Sequence, residues 1–413
     1  MHVVVVGGGV VGLACASSLA RRGAEVTVVE RDRCGALTSS GNAGWVSPGL
    51  AAPIPGPGVV GQALRWMLDR DSPFLIRARA DPAFAAWLLR FWRHCSADRY
   101  RAGLEATLDL ARPTTELFDA LRAAGVRFEM HGDGILYLAL GADHLAGFRQ
   151  MYDDVAALGF DAGVTELARD EVHDLEPAVG PAVRAGLLAR VERHVRPETL
   201  TAGLAEHLRA AGVRLVESRG VDALRHERGG WRAVAGGDDL GADRVVVAAG
   251  VWTRELLRPL GVRLPIEAAK GYSITTPAPA GGPRHPLYLT EAKVGVSPFQ
   301  GALRLAGTLE LAGLDLRLNR HRIGSIARSA ERYLAAAPAG GAIEWAGLRP
   351  VAPDGLPMIG PVRGHEGLFV ATAHGMLGVT LAPATGEALA PLVLQDRRVE
   401  ALAPLAPGRF SRR

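Results

Sequence analysis

Cysteine and lysine are the scarcest chemically active residues in this chain. Three cysteines, Cys15, Cys34 and Cys95, occur in 413 residues, at spacings that match neither a zinc site nor a redox pair. That excludes a disulfide framework and a thiolate metal centre. No metal is expected, and the thiols read as reduced, in a cytoplasmic protein. Lys270 and Lys293 are the only lysines, so arginine carries almost all the positive charge. The formal net charge is only +4 and no basic block exists, which excludes an obvious nucleic-acid surface. No apolar run reaches the roughly 20 residues that span a bilayer. The first residues enter a strand-like run directly, so no secretory leader is expected. Repeats and low-complexity tracts are missing too, apart from a Pro/Gly-rich patch from Pro48 to Gly61. With 48% hydrophobic and 22% charged residues, the balance is that of a soluble globular protein, long enough for two domains.

What is present begins at the second residue. His2-Val-Val-Val-Val6 has the β-branched run of a buried parallel strand. It ends in Gly7-Gly8-Gly9-Val10-Val11-Gly12, a G-x-G-x-x-G, followed by an Ala/Ser/Leu-rich helical stretch, a stop at Gly23 and a second strand from Glu25 to Val29. In such a motif Gly7 permits the tight turn, Gly9 lets the backbone approach a pyrophosphate, and Gly12 lets helix and strand close up. The helix N-terminus offers free N–H groups and a positive dipole end to phosphate. Glu30 follows Gly12 by eighteen positions, near the roughly 20-residue spacing at which an acid binds a ribose hydroxyl. An anion there repels a 2′-phosphate, which disfavours NADP. The combination predicts a dinucleotide site.

The chain after Glu30 does not continue as an NAD-binding domain would. Thr38-Ser-Ser-Gly-Asn-Ala-Gly44 is polar and glycine-rich, and a proline-punctuated loop follows to Gly61. Helical segments with large apolar residues come next, at Leu64 to Met67, Trp87 to Trp92 and Leu104 to Leu121. Strand character returns at Gly134 to Leu140 and Ala185 to Ala189. The first fold resumes near Pro197, with a helix over Glu198 to Ala211 and a buried strand at Arg244 to Val247 that ends in Gly250. Antiparallel strands fill Glu267 to Thr308, and Arg320 to Ala336 reads as a helix. Leu368 to Thr372 is a third return, leading through His374-Gly-Met-Leu-Gly378 into a helix from about Thr380. The expectation is an α/β protein: a discontinuous Rossmann-like domain over 1–50, 196–264 and 343–413, and an α+β substrate domain with an antiparallel sheet over 51–195 and 265–342.

Five stretches carry a resemblance: Gly7 to Glu30, Thr38 to Pro57, Lys270 to Ser273, Gly347 to Pro350 with Pro353 to Gly360, and His374 to Gly378. On these the chain resembles the FAD-dependent amino-acid oxidoreductases of the D-amino-acid oxidase superfamily, most closely the bacterial D-amino-acid dehydrogenases. Leu381-Ala-Pro-Ala-Thr-Gly386 looks more like glycine and sarcosine oxidases, and Pro298-Phe-Gln lacks an arginine that several relatives carry nearby. The resemblance implies non-covalent FAD, since no histidine or cysteine stands at an evident attachment position. It implies ribose contact at Glu30 with Arg31 beside it, and pyrophosphate at Gly9, Val10 and Val11. Thr38, Ser39 and Ser40 would hydrogen-bond phosphate or ribityl oxygens, while Asn42, Ala43 and Gly44 would face the flavin edge. Val221 would make a backbone contact with adenine, and Ala249 and Gly250 would pass beside the cofactor, with Trp252 closing that region. Gly375, Met376, Leu377, Gly378, Val379 and Thr380 would place a helix start at the flavin's N1–C2 edge, where negative charge develops on reduction.

For the substrate, a carboxylate calls for a cation with planar, two-pronged donors, and the family position for it is Arg349. Tyr272 is expected to add a phenolic hydrogen bond, and His374 to tune the flavin or line the site. Tyr288, Lys293 and Arg304 are reserve candidates, and Lys270 shares the strand face of Tyr272. The implied reaction dehydrogenates a Cα–N bond by hydride transfer to flavin N5, giving an imino acid that hydrolyses to a 2-oxo acid and ammonia. The electron acceptor is a quinone, a carrier or oxygen. A soluble oxidase for glycine, sarcosine or another N-substituted glycine, releasing hydrogen peroxide, stays open. Leu64 to Trp92 interleaves Trp66, Met67, Phe74, Trp87, Phe91 and Trp92 with Arg65, Arg70, Arg77, Arg79, Arg90 and Arg93. Two readings of it compete: a packed cap over the substrate domain, and a peripheral contact with the inner face of a membrane.

Overall fold

The computed structural model describes residues 1–67, 69, 71–336 and 341–410. Arg70, residues 337–340 of the expected substrate domain and residues 411–413 of the expected cofactor domain lie outside the described residues. Among the described residues no helix is long and apolar enough to cross a membrane.

The valine run does form a central strand. His2–Val6 is flanked by Glu25–Val29 and Arg244–Val247, both parallel to it, in a six-stranded sheet. Arg214–Val216 and Leu368–Thr372 extend the parallel set, and Met358–Pro361 closes one edge antiparallel. Apolar side chains on both faces of these strands find cover, which is why the sequence shows continuous runs and no alternation. On one face the helix Val10–Ala20 lies between the sheet and the last helix, Gly378–Gln395, and is buried on nearly every side. Close approach explains its small residues. A Cβ on Gly386 would lie 2.5 Å from the Ala14 carbonyl oxygen, and one on Gly12 would run into the Gly7 carbonyl.

The second sheet has nine strands. Glu267–Pro277, Ala302–Leu311 and Val294–Phe299 form its antiparallel centre, and Leu287–Leu289 leads on to Ile135–Ala139 and Ala185–Ala189. Ile343–Val351 pairs with Glu267–Pro277 from Thr275↔Ile343 to Glu267↔Val351. That strand, assigned above to the cofactor domain, therefore sits in the substrate sheet, and the third return to the first sheet begins only after it. The reason is register: its length matches the long strand beside it, and nothing in the six-stranded sheet offers a partner of that length. The Leu64–Trp92 stretch is likewise broken, into Val59–Trp66, a short strand Phe74–Ile76 that pairs with Ala302–Leu311, and Pro82–Arg93. Asp81 caps the last of these through the Ala83 amide, with Pro82 at the first helical position.

The two sheets meet at one seam. The Gly375 amide donates to the Pro350 carbonyl at 2.9 Å, and Val351 bridges His374. The start of the last helix is thereby fixed to the end of the Arg349 strand.

Candidate functional site

A largely apolar cavity of about 810 Å³ runs from the ends of the first sheet to the face of the second. At one end it is lined by Gly7, Gly9, Val10, Val11, Glu30, Arg31, Val221, Ala249, Gly250 and Trp252. Glu30 is 8% exposed, and its carboxylate accepts from the amides of Gly8 at 2.7 Å and Asp32 at 3.0 Å. The Arg31 guanidinium stands 4.4 Å over the Trp252 ring, closing that end with a planar cation on an aromatic face. Val10–Ala20 begins without a cap from its own N-cap residue, and the one side chain at its first turn is Ser39, whose Oγ accepts from Val10 N at 2.9 Å. A Cβ on Gly9 would meet only that oxygen, at 3.1 Å, so the backbone there is open to the cavity. Gly12 does not line it; its role is the close contact with Gly7.

Midway, Gly375 to Thr380 line the wall, and Gly378–Gln395 also starts with no side-chain cap. Two helix N-termini therefore present amides and positive dipole ends to one cavity. Opposite them, the Thr38–Gly44 loop spends its polar side chains on backbone groups, its own and those of neighbouring segments. Asn42 Nδ2 donates to the carbonyls of Ser39 and Ser40 at 3.1 and 3.0 Å, and its Oδ1 accepts from Gly44 N. Ser40 Oγ donates to the Leu37 carbonyl, and Thr38 Oγ1 to that of Leu348. Thr38, Ser39, Asn42, Ala43 and Gly44 line the cavity all the same. A loop this tight needs its own amide and hydroxyl groups to satisfy its carbonyls, and Ser40 does not reach the cavity. Thr380 is similar: its Oγ1 holds Ser47 N and the Trp45 carbonyl, leaving its backbone to face inward.

At the far end stand Arg349, Tyr288, Lys293, Trp45 and Phe148. Burial lowers the Arg349 guanidinium to about 10, still cationic at neutral pH. Its Nη1 donates to the Thr308 carbonyl at 2.9 Å, from a residue held at φ 69°. Gly271 makes the room, because a Cβ there would lie 2.5 Å from the guanidinium carbon. Tyr272 is elsewhere. Its hydroxyl donates to Glu310 Oε2 at 2.6 Å on the other face of the sheet, where Glu310 also pairs with Arg77 and faces Lys270. Lys270 is itself fully buried against Asp315 and the Arg317 carbonyl. Strand alternation explains the correction: Ala269 pairs with Arg349 and Gly271 lies against its guanidinium, so Tyr272, the next residue, points to the opposite face together with Lys270. Arg304 is also structural, paired with Glu198 at 2.5 Å and donating to the Asn42 carbonyl. His374 lines the cavity, but burial lowers its imidazole to about 3, so it stays neutral, with Nε2 3.0 Å from Thr385 Oγ1. The phenol beside Arg349 is Tyr288, which feels its charge and is half-buried.

The family model described as FAD dependent oxidoreductase matches residues 2–392. The chain belongs to this family. It is 36% identical to a D-amino acid dehydrogenase of Xanthobacter autotrophicus over 416 residues, covering 95% of each chain. It is 33% identical to one of Bradyrhizobium diazoefficiens over the whole of both. Among solved structures, glycine oxidase from Geobacillus kaustophilus shares the fold with a TM-score of 0.78 at 23% identity, covering 98% of both chains.

FAD is therefore the cofactor of this oxidoreductase, and the cavity fits it chemically. A buried acid, a glycine cradle and two uncapped helix starts lie in one enclosure, and none of the three cysteines lines it. One group that the sequence did not reveal stands just behind the wall. Glu192 is fully buried; its Oε1 accepts from Gly49 N at 3.1 Å and from the Tyr152 hydroxyl at 3.4 Å, and Ser47, which lines the cavity, stands beside it. No spacing marks Glu192, since it sits in an ordinary-looking Arg-Val-Glu-Arg-His turn.

Two outcomes follow for the oxidoreductase. Gly9→Val puts bulk into the open backbone cradle, so the purified variant should carry little flavin; a normal flavin-to-protein absorbance ratio contradicts this. Burial pushes the Glu192 carboxyl from 4.5 to about 8. Between those values the folded state holds a proton that the unfolded chain has lost, so its contribution to stability is full below 4.5 and is lost as pH rises through about 8. Glu192→Gln removes that dependence. Its melting temperature relative to the wild type should climb from about pH 5 to about pH 8, as read by scanning calorimetry, and a constant difference contradicts the assignment.

Proposed function

We propose that this oxidoreductase dehydrogenates the Cα–N bond of a small amino acid of the D series, giving the imino acid and, after hydrolysis, a 2-oxo acid and ammonia. The observation that carries the reading is Arg349, a half-buried cation at the end of the cavity beyond the last helix's N-terminus, whose partner among the described residues is a backbone carbonyl and not a carboxylate. The curated relatives named D-amino acid dehydrogenase support the D series.

In this reading Glu30 holds the adenosine ribose, Gly9, Val10 and Val11 the pyrophosphate, and Arg31 with Trp252 flanks the adenine. FAD, bound non-covalently, supplies the hydride acceptor. Arg349 takes the substrate carboxylate through the face of its fork that Thr308 leaves free, and Tyr288 adds a hydroxyl beside it. Pinning the carboxylate fixes where Cα–H points, which is how positioning lowers the barrier. Trp45, Phe148 and the glycine floor at Gly295 and Gly307 keep water from the imine before it leaves. The amides of Gly378–Gln395 favour negative charge at the ring edge they face, and so favour reduction.

The electrons pass to a membrane quinone. Phe84 and Trp87 on Pro82–Arg93 are buried, and Trp87 stacks on Phe91 at 5.4 Å, so one helix face caps the substrate sheet. The remaining faces of this helix and of Val59–Trp66 leave Leu64, Met67, Leu89 and Trp92 between 46% and 61% exposed beside Arg65, Arg90 and Arg93. Leu64, Met67 and Trp92 also line the cavity, which makes this rim its apolar mouth. Aromatic and aliphatic side chains between arginines suit an anionic bilayer surface.

Arg349→Ala should lower kcat/KM for dye reduction by at least about tenfold, mostly through KM, while the flavin spectrum is kept. A charge-assisted hydrogen bond is worth about 1.5–3 kcal/mol, and about 1.4 kcal/mol is tenfold. An unchanged KM moves the carboxylate to another cation. The membrane reading predicts flotation with anionic vesicles at low salt, reduced by Trp92→Ser with Leu89→Ser. Failure to float, together with rapid oxygen uptake during turnover, contradicts it and favours an oxidase.

A further inference from the structure

The far end of the cavity holds two cations. Among the described lining residues Glu30 is the only acid, and it stands at the dinucleotide end. Lys293 lines the opposite end with Arg349, yet no hydrogen bond or ion pair among the described residues holds its Nζ. That nitrogen lies 4.7 Å from the Phe148 ring centroid and 5.9 Å from that of Tyr288. Tyr288 is also the phenol that feels the Arg349 charge, so both cations flank one ring. The carboxylate facing Lys293 is Glu291, whose oxygens are already taken by Leu140 N, Gly141 N, Thr290 Oγ1 and the Tyr333 hydroxyl. Burial lowers the Lys293 ammonium below its usual value, and Glu291 only partly offsets this.

The backbone makes a special effort to hold this lysine here. Lys293 has φ 53°, a left-handed conformation that a lysine rarely adopts, at the entry to the strand Val294–Phe299. Such residues persist where the surroundings fix them, and they cluster at binding sites. Two residues on, Gly295 leaves the space that the Trp45 ring fills, since a Cβ there would lie 2.8 Å from it. Two cations in a mostly apolar enclosure, with no acid among the described residues that line this end, lack compensation for lost water. A ligand carrying two carboxylates supplies it.

We propose that Lys293 is a second anion site in the substrate cavity, selecting amino acids whose side chain ends in a carboxylate. The inference rests on the reading of Arg349 as the α-carboxylate site. Glutarate and butyrate, which have no C–N bond to dehydrogenate, serve as probes, titrated into the FAD-loaded enzyme while the flavin absorbance bands are followed. Glutarate should bind at least tenfold more tightly than butyrate. Lys293→Met should abolish that advantage while changing the butyrate Kd less than threefold, and Lys293→Arg should restore most of it. Dye reduction should follow the same pattern with D-glutamate against D-glutamine. Equal affinity of the wild type for the two probes overturns the proposal. So does an equal loss of both in Lys293→Met, which would assign the lysine to the α-carboxylate. Failure of every amino acid to reduce the dye overturns the amine-dehydrogenase reading instead, and the glutarate titration still judges Lys293.

Discussion

The bond from the Gly375 amide to the Pro350 carbonyl, with the Val351–His374 bridge beside it, joins two sheets that otherwise share only a small core of Val251, Trp252, Ala268 and Leu348 among their main clusters. One sheet carries the helix start at Gly378; the other carries Arg349. A redox site for small substrates needs the hydride acceptor and the substrate anchor fixed relative to each other within a fraction of an ångström. Side-chain packing alone would let two sheets slide. A backbone hydrogen bond one residue from the anchor does not. Ala373, at φ 60°, strains the chain at this seam, and the neutral His374 ring fills the space behind it. The histidine so reads as part of the joint.

The loop Thr38–Gly44 is the complementary constraint. It is held from outside by Ser273 Oγ on the Gly41 carbonyl at 2.6 Å, Ser297 Oγ on Ala43 at 2.7 Å and Arg304 on Asn42 at 3.0 Å. All three donors come from the substrate sheet. Residues of the dinucleotide half are thus positioned by the other half, and neither sheet builds the cavity alone. This also explains why the hydroxyl and amide side chains of the loop bond backbone groups. Fixed backbone at close range needs small residues and satisfied carbonyls, and the hydroxyls supply the satisfaction.

Legibility from the sequence followed the range of the interactions. Gly7 to Glu30 was readable because strand, turn, helix and acid are set by local spacing. The glycine before the last helix was readable for the same reason. Arg349 came from resemblance and lies in the cavity, yet its neighbour was misjudged. Tyr272 and Tyr288 both alternate on strands, and only the register that sets Ala269 opposite Arg349 decides that Tyr272 faces away from it; a one-residue shift exchanges the faces of a strand. Ile343–Val351 was misplaced because sheet membership depends on a partner more than sixty residues away. Glu192 left no trace, since its environment is assembled from Ser47, Gly49 and Tyr152, all remote in sequence.

Scarcity of lysine and abundance of arginine make cations a poor guide until their partners are known. Buried or half-buried Lys270, Arg79, Arg254 and Arg304 each face a carboxylate: Asp315, Glu267 twice, and Glu198. Such pairs neutralise their own desolvation cost and hold the scaffold. Arg349 differs in kind. Its partner is a carbonyl, turned toward it by the strained Thr308, which orients the fork without cancelling the charge. Within a mostly apolar wall that charge keeps its reach, because little water screens it. A protein that spent the charge on a carboxylate would gain stability and lose its hold on an acid substrate. The absence of that carboxylate together with a place on the cavity wall marks the binding arginine; Arg322, which also donates to a carbonyl, that of Ser72, does not line this cavity and builds the fold.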